Sequence, residues 1–400
     1  MNNITYIIKA IMALAVCLAI FSCQKTVEQP EPEVKDRVLL YYAAGFNNLS
    51  GNLEEDIEEL SSEGYVPQRT SGNVLLIFQN LAQGSYSNPV SPVLYRVYKD
   101  DSGNIVRNTL LTLEAGTVAA SAETVNTILT TVRDTYPSYE YGMIFSSHAT
   151  GWLPASGTTV RSMPGENASP LSIGNEYSPE TGTSVQYEIN LPDFADAIPM
   201  HLDYILFDAC FMGGVEVAYQ LKDKCDRVAF SQAEVLADGF DYTSMASQLL
   251  QSSSGLYEVC KTYYEHYMGL SGDYQSATVS LVDCRMMEQL AQVCKEIYST
   301  HREELDNINP NDVQCFGRIS EHRYFYDLAD IMEQLDLSSS EQESFSSALD
   351  GCIIYAATTG KMINLTIDRF CGLSSYCTNK FTYDDFYKAL AWNQATGMIE

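Results

Sequence analysis

The chain has 400 residues, 46% of them hydrophobic and 19% charged, with a formal net charge of −29. This composition fits a folded globular protein and excludes a disordered one. So acidic a balance argues against nucleic acid or an anionic membrane surface as partner, because both would repel it, whereas cationic ligands would be attracted.

At the N-terminus, Lys9 is followed by an apolar run from Ala10 to Phe21. The run is shorter than the about 20 residues of a membrane span and matches the hydrophobic region of a signal peptide. It ends Ile20-Phe21-Ser22-Cys23, with polar Gln24-Lys25-Thr26 beyond. A small residue before a cysteine at this point resembles a bacterial lipobox. Residues 1–22 are therefore expected to be a cleaved lipoprotein signal and Cys23 the lipidation site. Residues 23–36 then form an acidic, proline-bearing tether. The expected location is the bacterial cell envelope, periplasm or outer-membrane surface, with membrane contact only through the lipid. A plain secretory signal with an incidental cysteine is the alternative.

Beyond the tether, apolar β-branched runs alternate with helical patterns. Strands are predicted at Val38–Ala43, Val74–Phe78, Met143–Ser147, Tyr204–Asp208 and Val228–Ser231. Continuous rather than alternating apolar runs indicate strands covered on both faces, as in a parallel sheet between helices. Helices are predicted at Leu53–Leu60, Ala122–Tyr136 and Gly214–Lys222. The fold class is α/β: a three-layer sandwich with a mostly parallel central sheet and helices on both faces. Residues 155–190, rich in Gly, Ser, Thr, Pro and Asn, read as a long exposed loop. From about residue 250 the pattern turns mainly helical, with Tyr257–Met268, Met286–Leu305 and Tyr324–Leu335, then a strand at Ile353–Ala356. Residues 37–250 are taken as the core, and 251–400 as a helical extension of the same unit.

Two strand ends carry reactive side chains. The predicted strand Met143–Ser147 runs into His148, and Tyr204–Asp208 runs through Ala209 into Cys210. Ligands of open α/β sheets bind at the carboxyl edge of the strands, and a cysteine beside a histidine there is what a Cys/His hydrolase requires. The helix after Cys210 is expected to lower its thiol pKa through its N-terminal end. The alternative for each residue is a structural role, a buried small cysteine or a packing histidine. The nine cysteines after Cys23 show no CxxC pair and the five histidines no metal-ligand spacing. Neither a metal centre nor a dense disulfide framework is expected.

Several segments together resemble the clostripain family of cysteine peptidases, of the caspase-like structural group. Asp208-Ala209-Cys210-Phe211-Met212 with Glu216-Val217-Ala218 is similar to its D-x-C-x-M…E-x-A nucleophile segment, and His148 with Gly151-Trp152 to its H-G-x-G-W segment. Tyr42 to Leu49 with Asp56-Ile57 resembles the opening strand and turn. Ser231-Gln232-Ala233-Glu234 with Asp238 to Tyr242 resembles the S-x-x-E…G-D-G-W-x-Y stretch. Weaker likeness continues through Tyr326-Asp327-Leu328 and Cys371 to Tyr376.

The resemblance implies an endopeptidase with Cys210 as nucleophile and His148 as general acid and base, and the Ala149 and Cys210 backbone N–H groups holding the oxyanion. It implies protein or peptide substrates with Arg or Lys at P1, recognised by Asp208 and Asp238, and self-cleavage after Arg161. No cofactor is implied as required, and calcium is possible. Position 149 is Ala where the family has Gly; were positive φ needed there, a side chain would cost about 1 kcal/mol. Val235 to Asp238 also lacks the family's Pro-Gly. The contrasting reading is an inactive caspase-like surface lipoprotein that acts as a binding module.

Overall fold

The computed structural model describes residues 33–155, 172–178, 182–251, 255–319, 323–377 and 383–400. The signal segment, Cys23 and Arg161 lie outside the described residues. Residues 34–400 form one compact unit.

Nine strands form the main sheet: β1 (Lys35–Gly45), β2 (Asn73–Leu81), β3 (Val93–Lys99), β4 (Ile105–Thr112), β5 (Ser138–Ser146), β6 (Leu202–Asp208), β7 (Cys225–Phe230), β8 (Thr278–Asp283) and β9 (Ile353–Thr358). Their order is β9-β8-β7-β6-β5-β1-β2-β3-β4. The central strands β2, β1, β5, β6 and β7 are mutually parallel. Antiparallel pairs β3–β4 and β8–β9 extend the two flanks.

The principal helices are α1 (Ser50–Glu58), α2 (Ala122–Thr135), α3 (Leu191–Ala197), α4 (Val215–Gln220), α5 (Tyr242–Gln251), α6 (Gly255–Gly269), α7 (Met287–Thr300) and α8 (Ser339–Cys352). β1 shows why the apolar runs are continuous. Val38, Leu40, Tyr42 and Ala44 face a core shared with Val125, Ile128, Leu129 and Val132 of α2. Leu39, Tyr41 and Ala43 face a second core with Leu53 and Ile57 of α1 and Met245 and Leu249 of α5. Successive strand residues point to opposite faces, so both sets are apolar only when both faces are covered. The result is the expected three-layer sandwich.

The sequence expectation missed three features. Strands β3 and β4 do not appear in it, and β8 adds a strand to a part read as mainly helical. Residues Ile173–Ser178 and Gly182–Ile189, read as exposed loop, form an antiparallel hairpin. Its buried positions include Asn175 and Glu176 beside Ile173 and Ile189, so hydrogen-bonded polar groups replace the apolar alternation that would mark a strand. Because β8 and β9 complete the sheet, the C-terminal part is integral to the unit that carries the site.

Candidate active site

Register positions the two reactive residues. Ser146 at the end of β5 lies opposite Asp208 at the end of β6. His148 and Cys210 each follow two residues later, equal steps beyond neighbouring parallel strands, whose spacing is about 4.8 Å.

Each loop is held by its own contacts. Ser147 Oγ donates to Ala44 O at 2.6 Å and accepts from Asn175 N at 3.1 Å, which fixes the turn into His148. At the end of β1, the Asn47 amide donates to Asn175 O at 2.5 Å and Ala44 O at 3.3 Å, and its Oδ1 accepts from Leu49 N at 2.8 Å. That turn presents Asn48. His148 Nε2–H donates to Asn48 Oδ1 at 2.7 Å, leaving Nδ1 as the unprotonated ring nitrogen. Asn48 was passed over as a site residue; its only sequence signal is a second asparagine at the carboxyl end of a central strand.

On the nucleophile side, Phe211 adopts positive φ of 59°. Its N–H is bound to Ala233 O at 2.9 Å, Gly213 N to Ser231 O at 2.7 Å, and Ser374 N to Gly213 O at 2.8 Å. The Phe211 ring stacks on Phe325 at 4.8 Å. Gly151, at φ 57°, packs where an added Cβ would come within 2.4 Å of Phe211 O, so the histidine and nucleophile loops meet backbone to backbone. Ala149 is not among the positive-φ residues. Alanine is therefore unstrained there, and the glycine that the conformation demands is Gly151. Neither the Ala149 nor the Cys210 backbone N–H donates to another described residue.

Two anchors tie these loops to the C-terminal part. The Trp152 ring lies edge-on to Tyr376 at 5.0 Å and to Tyr387 at 4.9 Å. Buried Glu216 of α4 accepts from Tyr376 N at 2.9 Å and Tyr387 O–H at 2.7 Å.

The resting pair is neutral. Burial lowers His148 to about 4. Burial also pushes the Cys210 thiol up to about 12; the Val235 N–H opposes this, Glu234 and Asp208 add to it, and Arg318 offsets part. The expected lowering by a helix N-terminus is not found, because α4 begins only at Val215. Cys210 Sγ instead accepts from Val235 N at 3.3 Å. The segment bearing Val235 is pinned by the Glu234–Arg318 ion pair, and by Gln232, whose amide donates to Gly372 O at 2.8 Å.

His148 and Cys210 line one cavity of about 130 Å³. Its floor is formed by Ser146, Ser147, Asp208 and Ala209, one wall by Val235, Leu236 and Ala237, and the other by Leu49, Asn52, Leu53 and Asp56. The last four stand at i, i+3, i+4 and i+7, one face of α1 starting from its N-cap. Asp208 Oδ2 accepts from Tyr242 O–H at 2.6 Å and Ser146 O–H at 3.3 Å. Asp56 Oδ2 accepts from Tyr41 O–H at 3.2 Å. Burial raises the pKa of both carboxyls, and the charge of Asp208 raises Asp56 further.

The structure thus brings His148, Cys210 and Asp208 together, and it separates Asp238 from them. Asp238 is exposed and does not line the cavity. Its neighbour Gly239, at φ 55°, packs against the Asp208 carboxylate, where an added Cβ would lie 2.9 Å from Oδ2. The Asp-Gly segment therefore brings its backbone close to the Asp208 carboxylate, and the second carboxylate that lines the cavity is Asp56. An acid next to Leu53 and Ile57 on the buried side of the helix was the available signal. Among the described residues no group of three or more metal-ligating side chains is found.

Comparison with known proteins accords with this geometry. The profile of the clostripain family matches residues 41–395. Clostripain from Hathewaya histolytica is 23% identical over 372 residues, 88% of this chain; the chain spans 62% of that relative's length. The solved structure of an inactive zymogen C11 protease from Parabacteroides distasonis superposes with a TM-score of 0.74 at 24% identity, covering 91% of this chain and 99% of that one. A secreted C11 cysteine protease from Bacteroides thetaiotaomicron, solved with an irreversible peptide inhibitor, superposes with a TM-score of 0.73 at 25% identity, covering 90% and 99%.

Proposed function

The chain belongs to the clostripain family, and from that premise we propose that it is a cysteine endopeptidase cleaving after Arg or Lys. The observation that carries this reading is one small cavity lined by Cys210, His148 and the Asp208 carboxylate. No cation pairs with Asp208 among the described residues. A buried carboxylate without a partner charge is costly, and a basic P1 side chain would offset that cost.

In the proposed reaction, Cys210 Sγ bonds to the scissile carbonyl carbon while its proton passes to Nδ1 of His148. With the thiol raised and the imidazole lowered, this transfer accompanies attack instead of preceding it. The N–H groups of Ala149 and Cys210 receive the oxyanion. Collapse breaks the C–N bond, and His148 returns its proton to the leaving amine. His148 then deprotonates a water that attacks the thioester, releasing the acid and restoring the thiol. Asn48 holds the imidazole in the tautomer this sequence needs.

Arg161, between Val160 and Ser162 in a Gly/Ser/Thr-rich stretch, is proposed as the self-cleavage site, and Cys23 as the lipid-bearing residue that fixes the protein to the envelope. No cofactor is required in this scheme. The neutral Cys210–His148 pair and the Val235 contact favour a second reading, a caspase-like binding module without turnover.

Fluorogenic peptides with P1 Arg, Lys or Asp, offered to wild type and Cys210→Ala with and without calcium, separate the two. Expected is turnover of the Arg and Lys peptides without calcium, absent in Cys210→Ala. Cleavage of the P1-Asp peptide alone, or none by folded protein whether intact or cut at Arg161, contradicts the proposal.

A further inference from the structure

Asp56 is absorbed by nothing in the mechanism above, yet it is the most unusual side chain on α1. Its neighbours on the same helical face, Leu53 and Ile57, are apolar, and it is only 7% exposed. A carboxylate at such a position normally collects donors or a cation. Here one oxygen accepts from Tyr41 O–H, and Oδ1 accepts from no described group. Asp208, 8% exposed, is in the same condition, with Oδ1 likewise unmet. Among the described residues neither carboxylate has a cationic partner. Both line the cavity that holds Cys210, and they reach it from different elements, α1 and the end of β6.

Two like-charged groups buried beside one space cannot both ionise cheaply unless a cation enters it. Resting on the proposed preference for a basic P1 residue, we infer that Asp56 is the second carboxylate of the specificity pocket, so that the P1 guanidinium or ammonium is bound between Asp56 and Asp208. A planar guanidinium, with donors on both edges, can engage carboxylates from two directions at once, whereas an ammonium is a point charge. Asp56 thereby makes charge, and not length alone, the property read at P1. Burial and the neighbouring Asp208 hold a proton on Asp56 in the empty pocket, and an entering cation displaces it.

The test compares two peptides identical except at P1, one with arginine and one with citrulline, which keeps the shape and removes the charge. For Asp56→Asn, kcat/KM on the arginine peptide should fall at least about 30-fold through a raised KM, the loss expected when one partner of a buried charge contact is removed. Turnover of the citrulline peptide should hold or improve. Equal losses on both peptides would mark Asp56 as merely structural and overturn the inference, as would no loss on either. Asp208→Asn separates this from the wider reading: if Asp208→Asn loses arginine preference and Asp56→Asn keeps it, the basic pocket stands and the role of Asp56 fails. A wild type indifferent to P1 charge overturns both. Should Asp56→Asn not fold, Asp56→Glu serves, because a carboxylate displaced by one methylene must shift the Arg-to-Lys ratio; an unchanged ratio refutes the inference.

Discussion

Two neighbouring regions at the carboxyl edge of the sheet both bury carboxylates beside an asparagine, buried Asn47 in one and exposed Asn48 in the other, and they treat them in opposite ways. Where the 173–189 hairpin meets β1, Glu176 is saturated: it accepts from Ala119 N at 2.5 Å, Asn80 Nδ2 at 2.8 Å, Ala120 N at 3.0 Å and Phe46 N at 3.2 Å. Asn47 beside it makes three contacts, two within its turn and one to Asn175 O of the hairpin. A few ångströms of chain away, Asn48 makes a single bond, to the reactive histidine, and Asp56 and Asp208 keep an unmet oxygen facing a cavity. The carboxylates are buried in both regions, so their burial alone does not distinguish structure from function. The difference lies in unspent hydrogen-bonding capacity. Glu176 has both oxygens met by donors, whereas Asp56 and Asp208 each keep one free beside the cavity. An unmet oxygen marks a site only where it faces a cavity, since the buried structural Glu216 also keeps one.

Substitutions on the two sides should therefore separate cleanly. The largest effect is expected at Glu176→Ala, which strands three backbone N–H groups and an amide in the interior. A loss of about 3 kcal/mol or more in unfolding free energy should appear in denaturant titration. A stable variant with intact folding would break the comparison.

Asn48→Ala should do the reverse. The unfolding midpoint stays put while kcat falls about tenfold, because the imidazole loses the bond that fixes its tautomer. A shifted midpoint with unchanged kcat would put Asn48 in the structural class.

The smallest effects lie in pH. Burial raises Glu176 from 4.5 to about 7 despite its four donors. The folded state then binds the extra proton, so its contribution to stability is full below pH 4.5 and is lost as pH rises through about 7. Glu176→Gln should flatten that slope. Activity should keep its own limb when Glu176 is changed: kcat/KM on a basic peptide should rise through about 6, where burial places Asp208, with the His148 step lower, near 4.

Much of this edge was legible in the sequence because central parallel strands must be apolar on both faces. Val38 to Ala44 and Tyr204 to Phe207 announce themselves, and His148 and Cys210 follow directly from where such strands end. The flanks were not legible for the complementary reason. β4, mostly exposed, carries Arg107 and Asn108 and has no apolar run to detect. The hairpin satisfies its strands with Asn175 and Glu176, which read as loop. Asp238 was named through resemblance, at a loop whose local sequence departs from the family pattern; the Gly239 backbone packs on the Asp208 carboxylate while the Asp238 side chain is exposed. The Ala149 question dissolves once φ is known, a quantity residue identity alone does not fix.

The most direct test of the Cys210–His148 account is covalent capture. Wild type, His148→Ala and Cys210→Ala would each be incubated with an irreversible peptide inhibitor bearing a basic P1 residue, and the adduct located by peptide mass spectrometry. The account predicts one adduct, on Cys210, slowed strongly in His148→Ala and blocked by a competing P1-Arg peptide but not by its citrulline counterpart. Labelling spread over other cysteines, or labelling of Cys210 indifferent to His148 and to P1 charge, would contradict it.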